Sequence, residues 1–119
     1  MRILLIANTI FEITIGSLFI LFPSLLLKNN ELAISFLRVI GCGAVALGTL
    51  SFLMLALKEP KALKPGLIAL STFHSLTAIA LISSFTDNII SSLLIFVHLL
   101  FAVSFISVTW KPIISISPN

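Results

Sequence analysis

Charge is what this sequence has least of. Only 9% of its 119 residues are Asp, Glu, Lys or Arg, against 59% hydrophobic. Soluble domains carry about 25% charged and about 45–50% apolar residues. A chain this short cannot hide so much apolar surface from water, because small domains have a high surface-to-volume ratio. Lipid is the solvent the composition fits. The net charge of +3 comes from a few flanking lysines rather than a basic patch or stripe, so nucleic acid is excluded as a partner. Cysteine is nearly absent as well. Cys42 stands alone, which excludes an intrachain disulfide and a CxxC redox pair. There is no nucleophile elbow, P-loop or dinucleotide fingerprint. The two halves do not align with each other, so the inverted repeats of many transporters are missing too.

Long apolar runs are what is present. A spanning helix needs about 20 mostly apolar residues, and four runs qualify: 3–27, 32–57, 65–85 and 88–110. The polar clusters between them are "KNNE" (28–31), "KEPKALKPG" (58–66) and "TDN" (86–88). Asn30 and Asp87 suit N-caps and Pro65 suits the first turn of the third helix. Pro23 kinks the first helix or ends it early, leaving "SLLL" along the interface. The first run is about twice the length of a signal-peptide core and no small-x-small cleavage site follows it, so it reads as a retained helix. Short connections make consecutive helices antiparallel neighbours. The expected fold is all-α: a single membrane domain over 1–119, an up-down-up-down four-helix bundle. Arg2, Lys58, Lys61, Lys64 and Lys111 fall on one side and Lys28 on the other. The positive-inside rule then puts both termini in the cytoplasm. Trp110, followed by Lys111 and Pro112, reads as an interfacial anchor.

Four ionisable residues interrupt the spans: Glu12, Arg38, His74 and His98, one per helix. A charge at the centre of a membrane helix costs about 2.5–3.5 kcal/mol on insertion scales. Such groups face the bundle interior and pair. On the first helix Asn8, Glu12, Gly16, Phe19 and Pro23 share a stripe. On the second, Arg38, Cys42, Val45 and Thr49 share one, bordered by Gly41 and Gly48. The third groups Leu70, Ser71, His74, Thr77, Ala78 and Leu81. The fourth groups Ser91, Leu94, His98, Ala102, Phe105 and Thr109. At about 1.5 Å per residue, both histidines lie roughly 18 Å from the turn that joins their helices, Arg38 roughly 12 Å below the first turn and Glu12 roughly 15 Å above the cytoplasmic end. All four are expected to converge near the bilayer midplane.

Each group also has a plainer reading. Glu12 with Arg38 makes a structural ion pair, a histidine can hydrogen-bond across helices for about 0.6–2 kcal/mol, and the Gly41, Ala44 and Gly48 spacing serves close packing. Taken together they read as one site whose ligand-binding set is Glu12, Arg38, His74, His98, Asn8, Ser71 and Thr77. The expected ligand is a membrane lipid or small amphiphile, with Arg38 reading its head group, and no cofactor is required. The alternative is a transition metal held by His74, His98 and Glu12, or a haem. Bis-histidine haem suits these helices poorly, since consecutive helices pack about 8–10 Å apart. A third reading is a structural or accessory subunit of a membrane complex without its own active site; assembly as a homo-oligomer, which could enclose a pathway, is left open. A Glu with a His at low dielectric can also serve as acid and base, so catalysis is left open.

"FEITIGSLFILFP" followed by "LRVIGCGAVALG" resembles the E…G…P then R…G…LG arrangement of small four-helix bacterial membrane proteins, loosely DoxX-like. The resemblance covers the first two helices and the general layout. It implies a four-helix bundle in the bacterial cytoplasmic membrane, with Glu12 and Arg38 at the recurring charged positions. DoxX proteins are associated with quinone-linked sulfur oxidation and with respiratory or redox-protective complexes. No residue here matches a quinone or thiosulfate site, so that activity is not carried over.

Overall fold

The computed structural model describes residues 1–27, 30–84 and 87–110. These form four α-helices: α1 (Arg2–Leu21), α2 (Glu31–Met54), α3 (Pro60–Ser83) and α4 (Ile89–Trp110), with a 3-10 turn at Pro23–Leu25. The described residues include no strand. All four helices are long and apolar enough to cross a membrane. Their outer faces are Leu, Ile, Val and Phe; Ile3, Ile10, Phe96 and Val103 are all more than half exposed. An apolar exterior on this scale marks a surface made for lipid or for a protein partner.

Proline and the caps set the helix ends. Pro23 has no N–H to continue α1 and forces Phe22 out of the helical region, to φ −129°. The helix therefore stops at Leu21, as the early-end reading of Pro23 expected, and six residues short of 27. Asn30 caps α2 as expected, its side chain accepting from the Ala33 N–H at 2.9 Å. Two expectations are corrected. α3 starts at Pro60, not Pro65. Pro60 takes the first-turn position where a missing N–H costs nothing, and Pro65 is carried inside the helix. The cap of α4 is Asn88, not Asp87: the Ser91 N–H donates to Asn88 Oδ1 at 2.8 Å. Lys28, Lys111 and Pro112, which entered the orientation and anchor readings, lie outside the described residues; Trp110 closes α4 and is exposed.

The chain divides into two compact units, Met1–Gly66 and Leu67–Asn119. The first is a helical hairpin in which α1 and α2 touch backbone to backbone. A Cβ built on Gly16 would stand 2.6 Å from the Gly41 carbonyl oxygen, and one on Gly41 would stand 2.7 Å from the Gly16 carbonyl oxygen. One on Gly48 would meet Ile13 Cγ1 at 2.8 Å and Glu12 Cβ at 3.2 Å. Small residues at a helix interface are what permit so close a backbone approach. The second unit holds α4 and the larger part of α3, with Leu67, Leu70, His74, Ala78, His98, Phe101, Ala102 and Phe105 buried.

Candidate functional site

The buried stripe of α1 is the expected one, Asn8, Glu12 and Gly16, extended by Leu5; of the other expected members Phe19 is half-buried and Pro23, just beyond the end of α1, is buried. Asn8 and Glu12 are each at most 1% exposed. Asn8 Nδ2 donates to Ser51 Oγ at 2.7 Å. This buried amide–hydroxyl bond joins α1 to α2 and fixes their antiparallel register. Ser51 was not among the expected site residues. Its signal was legible, because it continues the Gly41, Ala44, Gly48 series by three.

The expectation for Arg38 is corrected. The face that α2 buries is Gly41, Ala44, Gly48, Ser51 and Met54. Arg38, Cys42 and Thr49 are exposed and Val45 is half-buried. The face is rotated by about one residue from the expected stripe, so the bordering glycines form its centre. Register separates Arg38 from Glu12 as well. Gly48 lies opposite Glu12. Arg38 is ten residues from Gly48, about 15 Å along the helix axis. Glu12 and Arg38 therefore do not form the expected ion pair.

His74 and His98 do meet. Their Nδ1 atoms are 2.9 Å apart, and the two rings are 0% and 7% exposed. Each lies twelve residues from position 86, so antiparallel helices bring them level. Geometry constrains the protons. One ring donates from Nδ1–H while the other offers its Nδ1 lone pair, which requires opposite tautomers when both rings are neutral. Two Nδ1–H groups would point their protons at each other.

Phenylalanines enclose the pair. Phe101 and Phe105 stack on His74 with centroids at 4.9 and 5.7 Å, and Phe73 sets its edge against both imidazoles at 5.2 and 6.0 Å. Phe105 was in the expected stripe; Phe73 and Phe101 were not. The signal for Phe101 was its place one turn beyond His98. Thr77 and Ser71 are half-buried, and the Ser71 hydroxyl donates to its own helix at the Ile68 carbonyl, 2.9 Å away. Thr9, Thr49, Ser107 and Thr109 do the same four residues back. In an apolar helix this is how a hydroxyl is satisfied without a partner helix.

Two imidazole nitrogens at this separation can share a proton or share a small cation. They cannot bracket a haem. Its axial nitrogens sit on opposite faces of the macrocycle, and these ring centroids are 5.1 Å apart. Among known proteins, no family model, curated protein or solved structure matches the chain.

Proposed function

We propose that the chain is a small multi-pass protein of a bacterial cytoplasmic membrane, with both termini on the cytoplasmic side, and that His74 and His98 bind a transition-metal ion within the bilayer. Four helices of spanning length and the asymmetry of Arg2, Lys58, Lys61 and Lys64 support the membrane part. The DoxX-like sequence pattern supports the bacterial assignment. A cysteine introduced at Glu59, with Cys42 replaced by serine, should label only from the cytoplasmic side. Labelling from outside alone would overturn the topology.

The observation that carries the metal reading is the buried Nδ1–Nδ1 approach of 2.9 Å. Zinc holds imidazole nitrogen at about 2.0–2.1 Å, so two tetrahedral ligands stand about 3.3 Å apart. The pair needs to open by only a few tenths of an ångström. Imidazole suits zinc and copper in particular. Packing alone does not call for imidazoles here. Two apolar side chains would fill the same space without taking two polar rings out of water. The stacked phenylalanines favour a compact occupant over an amphiphile head group. Elemental analysis of untagged protein should find close to one equivalent of zinc or copper, lost in His74→Ala and in His98→Ala. Less than a tenth of an equivalent in the wild type would sink the reading.

A second reading has its own observation. The rings of Phe101 and Phe105 lie within 25° and 14° of parallel with His74, as in a packed aromatic core. On that reading the imidazole pair is a tie between α3 and α4 in an accessory subunit. Both histidine variants would then lower the melting temperature equally with and without metal.

A further inference from the structure

The basic residues of the first unit collect at one end of it. Asn8 meets Ser51, Glu12 meets Gly48 and Gly16 meets Gly41, so α1 and α2 run antiparallel and the start of α1 and the end of α2 leave the hairpin at the same level. Arg2 opens α1, six residues before Asn8, and Lys58 follows Ser51 by seven. Gly66 brings the beginning of α3 to the same place. A Cβ on it would stand 2.5 Å from Met54 Sδ, so the first turns of α3 pack against the last turn of α2. Lys61 and Lys64 ride on those turns, five and two residues before Gly66.

Arg2, Lys58, Lys61 and Lys64 are all exposed, while Leu63, between the last two, is 2% exposed. The start of α3 therefore turns an apolar side inward and a cationic side outward. Glu59 is the only carboxylate in the segment from 55 to 66. Arg2, Lys61 and Lys64 fall within the first five residues of α1 or α3, and Lys58 lies just beyond the end of α2, all three helices being long enough to span a bilayer.

We propose that Arg2, Lys58, Lys61 and Lys64 together bind the head group of an anionic phospholipid. The proposal rests on the membrane reading given above but not on the histidine site. Charge complementarity selects the ligand. A phosphodiester with net negative charge, at the level where helices leave the hydrocarbon, meets three ammonium groups and a guanidinium. Lysine stems run along apolar surface while their heads reach the phosphate, and arginine adds a bidentate contact. A zwitterionic head group carries its own cation into the same field and gains less. A basic residue near an anionic leaflet contributes roughly fivefold in binding.

The test uses full-length protein in nanodiscs of phosphatidylcholine mixed equally with phosphatidylglycerol. After detergent extraction, native mass spectrometry counts the retained lipids. The wild type should retain the glycerol lipid about tenfold over the choline lipid, and added sodium chloride should erode the preference. Lys58→Gln/Lys61→Gln/Lys64→Gln should retain the two equally, whereas His98→Ala should keep the preference. Lys64→Glu alone, on an exposed turn, should lower it several-fold and serves if the triple variant misfolds. Equal retention of both lipids by the wild type, or an undiminished preference in both lysine variants, would overturn the proposal. Full displacement of the lipid by inorganic phosphate at equal concentration would also overturn it, because the site would then read a free anion. Failure of the wild type to enter nanodiscs would instead count against the membrane reading.

Discussion

The two units hold their helices together by opposite means. In the first, α1 and α2 approach through glycine until backbone meets backbone, and a buried side-chain hydrogen bond from Asn8 to Ser51 ties them. In the second, bulky rings fill the space: two imidazoles joined at Nδ1, with Phe73, Phe101 and Phe105 around them. A glycine contact gains dispersion and tolerates nothing larger. An aromatic cluster gains burial and can admit polar rings only where their hydrogen-bonding atoms find partners. On the function proposed above, the first unit is the scaffold and the second holds the ligands.

Substitutions can break that contrast. The largest effect should come from the aromatic unit. Phe105 is fully buried, and Phe105→Ala should cost about 3–5 kcal/mol. Thermal unfolding in detergent should show a loss several times that of an exposed control such as Phe96→Ala; similar losses would mean that the rings do not carry the second unit.

In the first unit the informative pair is Gly41 and Gly43, two residues apart on α2. A methyl at Gly41 meets backbone, whereas one at Gly43 meets nothing within 4 Å. Gly41→Ala should therefore destabilise by about 1–3 kcal/mol through overpacking. Gly43→Ala should stabilise by up to about 1 kcal/mol, because alanine is the better helix former. Equal effects of the same sign would refute the backbone contact. The smallest effect should be at the polar bond. Asn8→Ala and Ser51→Ala should each cost about 1 kcal/mol, with coupling in a double-mutant cycle. Strict additivity would show that the two do not interact in solution.

Much of this was legible in the sequence. Four apolar runs gave four helices because composition and length decide such elements. The α1 face followed from spacing alone, and the meeting of His74 with His98 followed from their equal distance to one turn. The α2 face does not follow from spacing, because the cost of a charge in an apolar run points Arg38 inward. Sterics decided otherwise: glycine allows the closest approach, so glycine sets the face and the arginine turns outward. The start of α3 was misplaced because two prolines, Pro60 and Pro65, both suit a first turn, and sequence does not rank them. The aromatic walls of the histidine pair were not foreseen either. Phenylalanine at Phe73 and Phe101 looks the same in sequence whether it faces a ring or lipid.

The claim that His74 and His98 are joint ligands of one ion is tested most directly by X-ray absorption on the zinc-loaded protein. Two imidazoles should appear at about 2.0–2.1 Å from the metal, falling to one in His98→Ala. A spectrum with oxygen donors only, or one unchanged in both His74→Ala and His98→Ala, would contradict it.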